Sequence, residues 1–476
     1  MRVIVIGAGI SGLACATRLA ERGAAVTVFE RLERVGGVIA SSARNGFLFE
    51  LGPQSFQLTP ALAELVRTAG LESQVVSAPL RAPRYVLAHG RLRSVPMGPQ
   101  ILVSGDLLGL GSRLRLLRDL LGRSAPPERS ESLAEFVERK FGAEVLDRLA
   151  GPFVSGIYAG DPRRLGLRDT FPELYRWERE KGSILRGAMA AARSGGSSAR
   201  PRPTLSAMRG GNASLLEALR AKLGDSVKLG VSVSRVRVAE SPSSAAAGYA
   251  GPGTPRGTTF TVEIGAPAES RLVTADHVVM AAPPAEAARL LADLSPRLAE
   301  SLGGIEYAPV AVVGTGYRRA QVRHPLAGFG FLVARSENRK LLGTVWMSSL
   351  FPGRAPEDSV NLASFVGGAT DPETTTLPPE AILDIVTREL GPILGISAAP
   401  AETMIGLHRK ALPQYNLGHR QRVAEIRAEA EERFPGLHLV GNYLEGLATG
   451  ACVDLAFRTA DRIVAENGEA PRCAEA

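Results

Sequence analysis

The chain has 476 residues, 45% hydrophobic and 22% charged, with a formal net charge of +8. That length exceeds one simple core and implies two or three domains, and the balance excludes disordered and fibrous classes. Arginine carries nearly all the positive charge, a bias that genome composition largely explains. Its functional reading is affinity for acidic substrates or anionic lipid, and no basic run interleaved with aromatics points to nucleic acid.

Residues 2–6 read as a short buried strand, followed by GAGISG, a helix through residue 20 and the strand AAVTVFE. Gly7, Gly9 and Gly12 stand as G-x-G-x-x-G between that strand and that helix. The first glycine permits the tight turn, the second lets a pyrophosphate approach the backbone, and the third lets helix pack on strand. Glu30 follows at the tip of the second strand, where such folds place the acid that grips an adenosine ribose. Gly36 and Gly37 allow a second close approach of main chain, which suits a long cofactor such as FAD better than a nicotinamide dinucleotide.

Residues 47–53 read as a strand running into a turn, and residues 59–70 and 129–150 have helical periodicity. Between them, residues 99–122 mix leucines with arginines and glycines. The preferred reading there is a helix pair packed on its own core, and the sharper one an amphipathic surface for lipid. Residues 193–203 read as a linker, and residues 239–257 as a long hairpin tip between two strands. Residues 437–443 form a last strand, followed by a glycine turn and a helix from about 452 to 465.

Other chemistries find little support. Cys15, Cys452 and Cys473 are odd in number and far apart, which argues against a disulfide framework and favours a reducing compartment. The six histidines show no paired metal-ligand spacing, so no metal is expected, and neither G-x-S-x-G nor a Walker lysine loop occurs. The start MRVIVIGAGISG lacks a signal-peptide pattern, and no apolar run approaches about 20 residues. A cytoplasmic location is therefore expected, with peripheral membrane contact open.

Arg34-Val35-Gly36-Gly37 downstream of Glu30, together with GNYLEGLATGACV (441–453), resembles the FAD-binding amine-oxidase superfamily. Within it, RYVLAHGRLRSVP (84–96), SGIYAGDPRRL (155–165), FPELYRWERE (171–180), LAGFGFLV (326–333) and PQYNLGH (413–419) resemble the protoporphyrinogen oxidases, over nearly the whole chain. The resemblance implies an α/β fold. A Rossmann-like FAD domain (1–80, 205–285, 405–476) would be interleaved with an α+β substrate domain (81–98, 286–404) and a mainly helical, membrane-associating region (99–204). It places cofactor contacts on Gly7, Gly9, Ser11, Gly12, Glu30, Arg31, Gly36, Gly37, Gly52, Pro53, Val233, Gly441, Asn442, Tyr443, Gly446, Leu447 and Ala448.

Substrate contacts fall by the same resemblance on Arg84, the backbone of Gly156, Val310 and Phe329. By residue type alone, Arg84 would be a surface arginine and Phe329 a core residue, while Asp161 in Gly-Asp-Pro is expected to make a turn. The implied reaction is hydride transfer from a porphyrinogen to the flavin, with reoxidation by O2 to hydrogen peroxide, and no catalytic side chain is expected beyond the flavin. The family further implies a homodimer with peripheral membrane contact. Gln54 and Leu455 depart from the pattern. Coproporphyrinogen oxidation stays close as an alternative, with an amine oxidase or a non-catalytic tetrapyrrole-binding flavoprotein more distant.

Overall fold

The structure, a computed structural model, describes residues 1–95, 107–122, 124–194, 204–239, 258–265 and 270–468. The strand Arg2–Ile6 (β1), the helix Ile10–Glu21 (α1) and the strand Ala25–Phe29 (β2) make the expected βαβ start. Val3 to Ile6 are all buried, as a parallel strand covered on both faces requires. β1 is central in a five-stranded parallel sheet ordered Val227–Lys228, β2, β1, His277–Met280 and Leu437–Leu439. The last helix, Thr449–Gly468, packs on α1 and is longer at both ends than expected.

Two helices that sequence places with the substrate segment belong to this core instead. Pro284–Leu291 and Pro296–Gly303 bury Ala287, Leu290, Leu291, Leu298 and Leu302 in the hydrophobic cluster that also holds the parallel sheet. An expected boundary at 286 is therefore too early, because these helices are apolar on the side that faces the dinucleotide core.

The second sheet has seven strands, in the order Glu402–Pro413, Tyr307–Arg318, Ser359–Gly367, Leu341–Trp346, Gly330–Val333, Arg84–Ala88 and Arg91–Ser94. Glu402–Pro413 pairs with Tyr307–Arg318 from Gly316↔Glu402 to Tyr307↔Pro413, so the expected dinucleotide segment from 405 also begins too early. On one face the helix Pro379–Leu394 buries Ile382, Val386, Leu390 and Leu394 against Ala311, Val313, Tyr317 and Leu362. The opposite face, by register, carries Arg84, Val86, Leu332, Gly343, Val345, Ala363, Phe365, Val310 and Val312.

That second face receives the dinucleotide half. The hairpin Ser41–Arg44 and Phe47–Glu50 lies over it where two residues have no side chain. A Cβ on Gly314 would meet the Phe49 ring at 2.4 Å, and one on Gly316 the Phe47 ring at 2.5 Å. The Arg354 guanidinium then donates to Glu50 at 2.7 Å, and both side chains are buried.

A third, helical core unites Leu116, Phe136, Phe141, Val154, Tyr158 and Ile184. Here Leu133–Lys140 starts from a capping box made by Ser132 and Glu135, and a π turn at Leu146–Ala150 leads into the helix Gly151–Tyr158. The helix Leu110–Leu121 directs Ser112 to Glu144 and Asp119 to Lys140 and Ser183. It leaves Leu110, Leu114, Leu117 and Leu121 exposed. The inward face of this helix carries Leu116, buried in that helical core, together with the polar anchors Ser112 and Asp119. The first part of that segment, 99–106, lies outside the described residues, as do 195–203 and 240–257. The strands bounding the latter, Val233–Val238 and Phe260–Ile264, do pair antiparallel. No helix among the described residues is long and apolar enough to cross a membrane.

Arg354→Ala would leave the Glu50 carboxylate buried without its counter-charge. It should cost about 3–5 kcal/mol of stability, read as a lower urea midpoint; an unchanged midpoint would contradict this role.

Candidate functional site

Gly7, Gly9 and Gly12 sit where β1 meets α1, and the three positions differ in what surrounds them. A Cβ on Gly12 would fall 2.0 Å from the Gly7 carbonyl oxygen, so this glycine is needed for the turn to close. At Gly9 nothing lies within 4 Å of a Cβ position, so the backbone here borders open space. Gly36 pairs with Gly9, its N–H donating to the Ala8 carbonyl at 2.8 Å, and Arg34 donates to the Gly37 carbonyl at 2.8 Å. The second glycine pair thus lines the same opening as the first motif.

Glu30 is buried directly beside this loop. Its carboxylate accepts from the Ala8 N–H at 2.8 Å and the Leu32 N–H at 3.0 Å. Arg31 is exposed, and Ser11 is buried near Cys452. Val233 is buried at the start of the antiparallel meander, two residues beyond Val231, whose N–H donates to the Glu30 carbonyl.

Gly52 and Pro53 follow the hairpin. The Pro53 carbonyl accepts from Asn212, and Pro53 lines a small cavity with Ile10, Ile39, Phe56, Asn212 and Thr449. Gln54 braces this turn by donating to the carbonyls of Glu50 and Gly52, and its buried Oε1 finds no partner among the described residues. Burial pushes the Glu50 carboxyl up, while Arg354, Ser41 and the Asn212 N–H oppose that shift.

Gly441 to Ala448 cross the end of the parallel sheet and lead directly into the last helix. The Asn442 side chain accepts from the Tyr307 hydroxyl at 2.9 Å, and its carbonyl accepts from the Tyr415 hydroxyl at 2.6 Å. The Tyr443 carbonyl accepts from His419 at 2.9 Å. Burial raises the Tyr443 hydroxyl and lowers His419, so both are neutral. Gly446 is contacted by the Cys452 thiol, and Leu447 packs against the helical core. Leu455 is buried in the parallel-sheet core, which is where its side chain is used.

Three of the four expected substrate residues converge on one wall. The Arg84 guanidinium lies 5.3 Å from the centre of the Phe329 ring, and the Phe329 N–H donates to the Pro83 carbonyl. Gly156 lies on the helix Gly151–Tyr158 above Leu332, which a Cβ would meet at 2.8 Å. Val310 shares the sheet face but stands four strands from Arg84, roughly 19 Å at the usual strand spacing. It packs beside Ala159 at the end of the same helix. Asp161 makes the expected turn, accepting from the Arg163 N–H and from Arg335. Lys340 is exposed and paired with Asp371.

One pairing is missed at the sequence level. His277 and His438 occupy neighbouring parallel strands, with ring nitrogens 3.1 Å apart. With Glu466 they are the grouping of three candidate metal ligands found among the described residues. Their outer nitrogens already face Asn467 and Arg462, so the pair's hydrogen bonds are met within the protein. We assign it a structural role. Residues 161 apart in sequence give no spacing signal.

A family model described as flavin containing amine oxidoreductase matches residues 10–466. The chain is 34% identical over 481 residues to protoporphyrinogen oxidase 1, chloroplastic, of Arabidopsis thaliana, covering 96% of this chain and 87% of that one. It is 29% identical to coproporphyrinogen III oxidase of Bacillus subtilis, covering 95% of each. A solved structure from Exiguobacterium sp. 255-15 is similar in fold, with a TM-score of 0.80 at 24% identity, covering 98% and 99% of the two chains. Cyclohexylamine oxidase from Brevibacterium oxydans follows with a TM-score of 0.68 at 19% identity, covering 98% of this chain and 99% of that one.

The contrast between Gly9 and Gly12 gives a test. Gly12→Val should prevent folding, because its side chain would strike the Gly7 carbonyl. Gly9→Val should fold normally yet purify with less than a tenth of the wild-type flavin, read from visible absorbance. Full flavin content in Gly9→Val would remove this loop from the cofactor site.

Proposed function

The chain belongs to the flavin-containing amine oxidoreductase family, and from that premise we propose that it oxidises protoporphyrinogen IX to protoporphyrin IX, with FAD as cofactor and O2 as final acceptor. FAD, when bound, accepts two electrons per round and passes them to oxygen, giving hydrogen peroxide. The residues fit such a group. Gly9 borders open space, Pro53 lines a small cavity with Ile10, Ile39 and Thr449, and Gln54 Oε1 is buried without a partner among the described residues.

Each part of the chain then has a task. The main chain at Gly9, Gly36 and Gly37 would lie beside the pyrophosphate, with the N-terminus of α1 favouring its charge. Glu30 is positioned and partly desolvated by two N–H groups, and each oxygen keeps a lone pair for a ribose hydroxyl. Gly441 to Ala448 and the start of Thr449–Gly468 would face the flavin ring.

The substrate reading rests on how charge is distributed over the second face of the seven-stranded sheet. Its middle is apolar, with Val310, Val312, Phe365, Val345, Leu332 and Val86. Its arginines, Arg84, Arg91 and Arg93, stand on the last two strands at one edge. Protoporphyrinogen IX carries two propionates on one side of the macrocycle and apolar groups on the other. Coproporphyrinogen III carries four, spread around the ring, and a carboxylate pressed on the apolar middle would be strongly penalised. Arg84 would hold a propionate in its planar fork while its face rests on Phe329. Gly156 and Val310 would supply wall. The reaction then needs orientation and exclusion of water more than a protein acid or base.

Anaerobic mixing with protoporphyrinogen IX should bleach the flavin, faster than coproporphyrinogen III does, and air should restore the colour. A reversed order would reassign the substrate, and no bleaching by either, with FAD bound, would end the oxidase reading. Arg84→Ala should raise KM about tenfold, roughly 1.4 kcal/mol, at unchanged FAD content.

Peripheral membrane attachment on the cytoplasmic face belongs to the same reading. Leu110, Leu114, Leu117 and Leu121 form one stripe on their helix, at 77%, 65%, 41% and 81% exposure. Arg113, Arg115 and Arg118 on the same helix suit anionic headgroups. The protein should sediment with vesicles rich in anionic lipid, and Leu114→Ser/Leu121→Ser should lose most of that binding while keeping its flavin. Equal sedimentation of the variant would reject the stripe.

A further inference from the structure

The segment PQYNLGH (413–419) is assigned no cofactor or substrate contact above, yet several of its side chains are buried and it is bonded on both sides. Gln414, Tyr415 and His419 are each no more than 5% exposed. On one side the segment grips the chain that follows the helix Gly151–Tyr158. Gln414 donates to the Tyr158 carbonyl at 2.9 Å, the Gly166 N–H donates to the Tyr415 carbonyl at 3.0 Å, and the Leu417 N–H donates to the Arg164 carbonyl at 3.1 Å. The Tyr158 and Tyr415 rings meet edge to face.

On the other side it grips the loop that would face the flavin. The Tyr415 hydroxyl reaches the Asn442 carbonyl at 2.6 Å, and His419 reaches the Tyr443 carbonyl at 2.9 Å. A carbonyl can only accept, so the His419 proton sits on Nε2. The Tyr415 and His419 rings stack at 4.2 Å and 11°, so neither donor can turn without moving the other. The Gly151–Tyr158 helix carries Gly156, and the loop carries Asn442 and Tyr443.

We propose that residues 413–419 are a clasp that fixes the substrate-side helix and the flavin-side loop at one spacing, with Tyr415 and His419 as positioning residues. The inference rests on the flavin-dependent reading above. Transfer between two bound groups depends steeply on their separation, so the clasp acts on the rate of flavin reduction more than on binding. Both anchors bind main-chain carbonyls, so the clasp does not depend on which side chains occupy the loop.

Tyr415→Phe keeps the ring stack and removes one anchor. In the holoenzyme it should lower the rate of flavin reduction about tenfold, with KM within twofold. His419→Leu should do the same, whereas His419→Gln, which retains an N–H donor, should recover most of the rate. The visible circular dichroism of bound FAD and its dissociation constant, both measured without porphyrinogen, should shift in Tyr415→Phe and His419→Leu and return in His419→Gln. If Tyr415→Phe and His419→Leu change only melting temperature, leaving the flavin spectrum and rate as in wild type, the clasp is merely structural and the proposal fails. If wild-type flavin is not reduced by any porphyrinogen, the functional reading fails instead, and the spectral comparison still decides the clasp.

Discussion

The ion pair between Glu50 and Arg354 holds together two halves that are folded from different stretches of chain. Glu50 ends the hairpin that leads to Gly52 and Pro53, and Arg354 lies beyond the helix Met347–Leu350 of the seven-stranded half. Both are buried, and neither charge would be tolerated there alone. The carboxylate also accepts from Ser41 and the Asn212 N–H, and the guanidinium donates to the Met208 carbonyl. Three stretches of chain, the hairpin 41–50, the turn 208–212 and Arg354, are therefore fixed in one orientation by a set of bonds with direction, which apolar packing alone would not impose.

That orientation creates the cleft. Gly314 and Gly316 flatten the sheet under Phe49 and Phe47, so the hairpin lies close at one part of the face. Away from the glycines the helix Gly151–Tyr158 covers the face through Leu332 at one point and Val310 with Ala159 at another. The same sheet face thus takes the hairpin over part of its area and the helix Gly151–Tyr158 over another part. Glycine placement sets the division between the two.

The sequence was most legible where chemistry is local. The βαβ start, the glycine turn, the buried Glu30 and the Asp161 turn all depend on residues within about thirty positions, and each appears where expected. It was least legible where the chain changes partner without changing composition. The helices 284–291 and 296–303 pack on the dinucleotide core, and strand 402–413 joins the other sheet, with no turn cluster or charge shift to announce either. The helix 110–121 shows the same limit: Leu116 does pack inward, but it shares that face with Ser112 and Asp119, while Leu110, Leu114, Leu117 and Leu121 stay exposed.

The sequence by itself determined the tight turn at the amino-terminal strand and the acid beside it, because glycine spacing and one acid specify a backbone shape directly. Only the tertiary structure decided that Arg84 lies over Phe329, that His277 meets His438, and that residues 413–419 join the substrate-side helix to the loop at 442–443. Those contacts join residues between 24 and 256 positions apart. A side chain's partner at such separations is set by sheet order and by the buried charges that lock the halves together, and no local pattern encodes either.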